Sequence, residues 1–297
     1  CCMLHVGEAS MYTYTVCWNG VMVYSLQLAG RVPGPHVVGV ALVAEARHEL
    51  VCLRGAAAAE LERHTLTLSG GREVAAYLAR PAKKPAAAVM LVHEWWGLNE
   101  YIQKRTEQVA KLGYLAIGVD MYGDGKTVDN PIEAGSLMNA VLDDKQIIKT
   151  RLEGAYNVLK EHALSDSRRL GAIGYCFGGA LVLNMARMGM DLRAVVSFHG
   201  ALDSFFKPTP GEIKAKILVC HGEADEFVSE EAVEQFKSEM DTARADYDFI
   251  SYQGALHGFS NPAADERGRK FNIPLAYNES ADRNSWKSMQ DLFENNF

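Results

Sequence analysis

The sequence predicts an α/β fold over residues 61–297, a mainly parallel central sheet with helices on both faces. Three observations carry this. Ala86–Val92 is a continuous apolar run, the signature of a strand buried on both faces. Strand-like runs alternate with helix-like ones along the chain, the order that builds a parallel sheet through crossover helices. At 297 residues and 48% hydrophobic content, the chain can bury a sizeable core.

The elements follow in order. Glu62–Leu68 and Arg72–Ala79 flank Ser69-Gly70-Gly71 and read as a hairpin. After Ala86–Val92, Glu100–Leu112 reads as a helix closed by Gly113. Tyr114–Val119 is the next strand, and one helix is expected from about Pro131 to Leu164. Leu170–Tyr175 and Arg193–Phe198 read as strands on either side of a helix that starts at Phe177. Lys216–His221 and Tyr247–Tyr252 complete the strands, and Glu230–Met240 and Ser285–Phe293 read as helices.

The first sixty residues differ. They hold seven charged side chains against 60 in the remaining 237, about half the density. This segment is read as an N-terminal extension of unknown role. No basic residue precedes its apolar stretch, so a secretory signal fits poorly. His36–Val43 is compatible with a strand or a short helix.

A net charge of −7 and the lack of a basic run argue against nucleic acid and anionic membranes as partners. No apolar segment reaches the roughly 18–20 residues needed to span a bilayer. The six cysteines show no CxxC or Cys/His ligand spacing, so neither a zinc site nor any other cofactor is expected.

Cys176 carries the chemical argument. It lies in Gly174-Tyr175-Cys176-Phe177-Gly178-Gly179, between a buried strand and a helix. A strand–turn–helix with a nucleophile at its apex is the nucleophile elbow of the α/β-hydrolases. Small neighbours let strand and helix pass closely, and the helix N-terminus favours a thiolate. An acid and then a histidine must follow. Asp225 sits on the loop after Lys216–His221, and His257 on the loop after Tyr247–Tyr252. Each of the three residues follows a separate strand and falls on one edge of a parallel sheet, an arrangement for nucleophilic acyl transfer. Glu226 competes with Asp225 as the acid, and His93, His199 and His221 also end strands. Cys220 reads as a small buried core residue. A reactive thiol favours a reducing, cytoplasmic setting.

Over about residues 62–297 the sequence resembles the dienelactone hydrolases. The matching motifs are Gly-Tyr-Cys-Phe-Gly-Gly at 174–179, Gly-Glu-Ala-Asp at 222–225, Leu-His-Gly-Phe at 256–259 and Val-His-Glu-Trp-Trp-Gly-Leu-Asn at 92–99. The resemblance implies that Glu94 pairs with the resting thiol and that the backbone N–H groups of Trp95 and Phe177 form an oxyanion hole. Trp96 and Tyr122 are candidate substrate contacts. The family holds its substrate carboxylate with arginines, and here the sequence departs. Asp120–Gly125 and Ser260-Asn261 contain none, and Asp124 would bring a negative charge to the site. The expectation is a carboxylesterase acting on small esters. The alternative is a true dienelactone hydrolase whose clamp comes from elsewhere, such as Arg151 or Arg267. A third reading, a thiol binder or redox sensor, leaves Asp225 and His257 without a purpose.

Overall fold

The computed structural model describes residues 86–297 throughout, together with Leu78 and the backbone of five earlier strands. The chain divides into two compact units, Cys1–Ala56 and Ala57–Phe297. His36–Val43 lies outside the described residues.

In the first unit, β1 (Cys2–His5), β2 (Met11–Trp18) and β3 (Val21–Ala29) form a three-stranded antiparallel sheet. Asn19-Gly20 separates β2 from β3, a pair suited to a tight hairpin connection. The sequence reading assigned no strands here.

The second unit is built on an eight-stranded sheet. β4 (Leu61–Thr67) and β5 (Glu73–Ala79) pair antiparallel, as the Ser-Gly-Gly punctuation predicts. β6 (Ala86–Val92), β7 (Leu115–Val119), β8 (Ser165–Tyr175), β9 (Ala194–Phe198), β10 (Lys216–Gly222) and β11 (Tyr247–Tyr252) run parallel. The order across the sheet is β11-β10-β9-β8-β6-β7-β5-β4. Chain order reverses where β6 lies between β7 and β8, and ligands of open α/β sheets bind outside the carboxyl ends of strands at such a point.

Period-two alternation sends side chains to two cores, one on each face. Ala88, Met90 and Val92 of β6 join Ile217 and Val219 of β10 in one. Val89 and Leu91 join Leu218 and Cys220 in the other. The first core is closed by α3 (Lys145–Glu161), α4 (Phe177–Arg187) and α5 (Glu230–Ala243), through Leu152, Leu181 and Phe236. The second is closed by α1 (Glu100–Lys111) and α7 (Glu279–Asn296), through Ile102, Val109, Met289 and Phe293.

Two elements differ from the sequence reading. The single helix expected over 131–164 is two helices, α2 (Pro131–Leu142) and α3. Asp144 accepts the backbone N–H groups of Gln146 and Ile147, so it caps a new helix. A short helix, α6 (Ala264–Phe271), was not foreseen because its sequence is almost entirely polar. Among the described residues, no helix is long and apolar enough to cross a membrane.

Candidate active site

Cys176 stands between β8 and α4 at φ 54°, ψ −117°, a conformation L-residues rarely adopt. Its N–H donates to Phe198 O on β9 at 3.0 Å. Backbone crowding enforces the turn. A Cβ on Gly174 would lie 2.1 Å from Gly178 O, and one on Gly178 would lie 2.2 Å from Val92 O. Helix and strands therefore meet at backbone distance, and the thiol is left half-buried at the apex.

His257 and Asp225 come from the loops after β11 and β10. His257 Nδ1 and Asp225 Oδ2 are 2.7 Å apart, and the Asp225 side chain is fully buried. Asp225 Oδ1 accepts the Phe227 N–H at 2.9 Å, which fixes the carboxylate. Glu226, the competing acid, is exposed. Burial alone would lower the His257 pKa. The charge of Cys176 and hydrogen bonds to Asp225 and Cys176 outweigh it and raise it to about 10. The structure thus brings all three residues together, with His257 hydrogen-bonded to Asp225 and close enough to Cys176 for the thiol's charge to raise its pKa.

The loop after β6 supplies the opposite wall. Gly178 N–H donates to His93 O at 3.0 Å, which ties this loop to the start of α4. Phe177 is the first residue of α4, where N–H groups have no intrahelical acceptor. Among the described residues, neither its N–H nor that of Trp95 has a protein acceptor. Tyr122 buttresses this wall. Its hydroxyl donates to Trp95 O at 2.7 Å and its ring stacks on Phe177. It does not line the cavity beside the thiol.

Glu94 is 4% exposed, and its Oε2 accepts from Asn261 Nδ2 at 2.6 Å. Burial raises its pKa, opposed by the charge of Arg267 and the Asn261 bond. The expected partner, the thiol, is engaged with His257 instead, and no hydrogen bond joins Glu94 to Cys176 among the described residues. The Glu94–Asn261 pairing spans 167 positions of sequence.

His199, which the sequence reads as one of the histidines that end strands, has a positioning place that the sequence does not disclose. It ends β9 at φ 39°, fully buried, with its ring 5.4 Å from that of His257. Its Nε2 and Ser260 Oγ are 2.7 Å apart, and Ser260 Oγ is 2.7 Å from Tyr101 Oη. Arg105 donates to Ser260 O at 2.7 Å and pairs with Asp282. Burial, then the charge of His257, hold the His199 pKa well below its ordinary value, so the ring is neutral. This set anchors Phe259–Asn261, the segment that follows His257. The only available signal was that His199 ends a strand on the catalytic edge.

In front of Cys176 lies a cavity of about 260 Å³, just under the roughly 300–1,000 Å³ of typical small-molecule sites. Trp95, Phe177, Met138, Leu142 and Phe205 give it an apolar lining. Trp96, expected as a substrate contact, points away. It is 2% exposed, stacks on Phe271 and lies under Arg267. Among the described residues, no arginine lines the cavity. Arg151 is buried and donates to Met121 O, while Arg267 lies over Trp96 at 4.2 Å. Asp124 does not line it either. Its side chain is exposed and 3.4 Å from Lys126, so the negative charge expected there is absent from the lining. Among the described residues, no group of three or more His, Cys, Asp or Glu could hold a metal ion.

Comparison with known proteins agrees with this layout. A putative carboxymethylenebutenolidase of Yersinia pestis is 30% identical over 76% of this chain and 85% of its own length. An uncharacterized protein of Caenorhabditis elegans is 37% identical over 50% of this chain and 94% of its own. Among solved structures, a dienelactone hydrolase-like promiscuous phosphotriesterase from metagenomic libraries superposes with a TM-score of 0.73 at 29% identity, covering 81% of this chain and all of that one. The sequence profile of the dienelactone hydrolase family matches residues 74–297, from the hairpin through the elbow and both downstream loops. An α/β-hydrolase sheet with its elbow at the crossover point is thus the frame of an enzyme, and the chain belongs to the dienelactone hydrolase family of hydrolases.

Proposed function

We propose that the protein is a cysteine hydrolase of small esters and lactones, with Cys176 as nucleophile, His257 as acid–base and Asp225 as its orienting partner. The Asp225–His257 bond of 2.7 Å beneath an elbow cysteine carries this reading. The Cys176 sulfur attacks the carbonyl carbon and forms a C–S bond. The oxyanion receives hydrogen bonds from the Trp95 and Phe177 N–H groups, each worth on the order of 3 kcal/mol at the transition state. Charged His257 gives its Nε2 proton to the departing alkoxide, which leaves a thioester. His257, now neutral, takes a proton from water as that water attacks the thioester, and the acid and the thiolate separate. Asp225 holds the Nδ1–H tautomer throughout. Glu94 is the second partner for the thiol between turnovers. Burial raises its pKa, and a thiol turned toward it from His257 is protected from oxidation.

Two observations bear on the substrate. The name of the Yersinia pestis relative denotes opening of a carboxylate-bearing lactone, and kinship weighs for that reading. The apolar lining without a guanidinium weighs for uncharged substrates. p-Nitrophenyl esters of increasing acyl length, run beside a dienelactone, test both. The expected result is fastest turnover from acetate to butyrate, with lower kcat/KM on the dienelactone. A dienelactone that clearly exceeds p-nitrophenyl acetate makes the lactone reading the correct one. Turnover by neither removes the hydrolase reading for these substrates.

A further inference from the structure

The cavity in front of Cys176 carries one carboxylate, and its position is built. The segment 202–206 crosses the cavity wall and is moulded by α4, the helix that starts at the nucleophile. Asn184 Nδ2 donates to Asp203 O at 2.9 Å, and Asn184 Oδ1 accepts the N–H groups of Phe205 and Phe206. Arg187, whose side chain is 0% exposed, donates to Leu202 O at 2.9 Å and Asp203 O at 3.0 Å. These five hydrogen bonds fix the backbone at Asp203, and Asp203 lines the cavity.

The charge around it is unbalanced. Arg187 feels the Asp203 carboxylate, but its Nε and Nη2 are bound to Glu239 at 2.9 and 2.7 Å. No hydrogen bond or ion pair reaches the Asp203 carboxylate among the described residues. His257, which among the described residues is the one basic side chain lining the cavity, has Asp225 beneath it. The rest of the lining is apolar apart from the thiol.

We propose that Asp203 is a specificity-determining residue and that the cavity selects esters whose apolar arm ends in an ammonium group, against those ending in a carboxylate. An apolar arm fits Met138, Leu142 and Phe205, and a cationic end meets the carboxylate of Asp203, an exposed residue whose backbone is fixed before substrate arrives. The inference rests on the hydrolase reading above and adds the charge of the substrate to it.

The test compares p-nitrophenyl esters of trimethylammoniobutyrate, its tert-butyl isostere and glutarate. Acetylcholine and its dimethylbutyl isostere repeat the comparison on the alcohol side. On at least one side the cation should exceed its neutral isostere in kcat/KM by about three- to tenfold, the range of one exposed charge pair, and glutarate should fall below neutral. Asp203→Asn should collapse the cation-to-neutral ratio towards one, Asp203→Lys should invert it, and added salt should shrink it. A ratio taken within one variant is independent of how much of it is folded. Neutral esters that turn over with a ratio of one on both sides, or a ratio that Asp203→Asn leaves intact, overturn the proposal. Failure of every ester, with no difference between wild type and Cys176→Ala, overturns the hydrolase reading instead.

Discussion

Behind His257 the fold buries polar groups in a connected set, whereas in front of Cys176 it buries almost none. The rear set runs from His199 through Ser260 and Tyr101 to Arg105 and Asp282, with Glu94 and Asn261 beside it. The front is Trp95, Met138, Leu142 and Phe205. Polar groups in a low-dielectric setting depend on every partner being present, so they fix orientation and charge. Apolar side chains act through shape and area, and each can change with little effect on the next. Under the proposed function, the rear governs how fast the chemistry runs and the front governs what fits. Losses should overlap within the rear, where groups act as one unit, and multiply across the two walls.

The largest expected effect lies where the walls meet. Cys176→Ala should lower kcat by about a thousandfold or more with circular dichroism unchanged, because the covalent route is gone. Cys220→Ala, in the core, should leave kcat within a few fold. Surviving activity in Cys176→Ala moves the nucleophile elsewhere.

Next come Asp225→Asn and His257→Ala. Each should be severely impaired, and their double mutant should be scarcely slower than the worse single. Pairing Asp225→Asn with Met138→Ala should instead give multiplying losses, since those residues share no partner. Multiplication in the first pair would dissolve the distinction between the walls.

His199→Phe tests the rear away from the triad. It keeps a ring beside His257 and Phe259 but removes the Ser260 partner. We expect kcat to fall about tenfold with KM little changed, and the alkaline limb of the pH profile to move. The His257 pKa is raised to about 10, so under the proposed mechanism the general acid is charged at neutral pH and activity should fall as pH rises through about 10. The same charge stabilises the fold below the ordinary histidine range, and that contribution disappears over the same rise. A variant with an unaltered profile would make His199 packing only.

Glu94→Gln gives a smaller signal, in stability. Burial raises the Glu94 pKa, so the folded state holds that proton more tightly than the unfolded chain. Wild-type stability then falls as pH climbs above the ordinary carboxylate range, and the glutamine variant is spared. The difference in Tm, variant minus wild type, should grow from pH 4 to pH 8. A flat difference means that Glu94 is not the buried proton acceptor described here.

Met138→Ala, on the front wall, should have the smallest effect. It enlarges the cavity and should shift preference by one or two methylenes, at about 0.8 kcal/mol each, or about fourfold in kcat/KM. An unchanged acyl profile would mean that the arm lies elsewhere.

What the sequence disclosed follows the same division. The elbow, Asp225 and His257 were legible because each follows an apolar strand and carries a local motif. The hairpin of β4 and β5 was legible from Ser69-Gly70-Gly71. Asn261 stands four residues after His257, but its contact with Glu94 crosses 167 positions, and local spacing has no access to such a pairing. His199 and Ser260 are 61 apart. Trp95 and Trp96 look alike in sequence and their rings lie 4.9 Å apart, yet one lines the cavity while the other is buried in a small core with Ala134 and Leu275. The break between α2 and α3 was hidden by continuous helical pattern until Asp144 was seen as a cap.

The crowded backbone at the elbow has a consequence for how this chain can vary. The contacts that shape the turn belong to Gly174 and Gly178, while Cys176 lines the cavity. In a saturation library selected only for soluble, folded protein, position 176 should accept serine and alanine, while 174 and 178 accept nothing but glycine. Selection for folding alone would therefore preserve the frame of a nucleophile while allowing the nucleophile itself to drift, and inactive descendants of this chain would still carry the elbow's glycines.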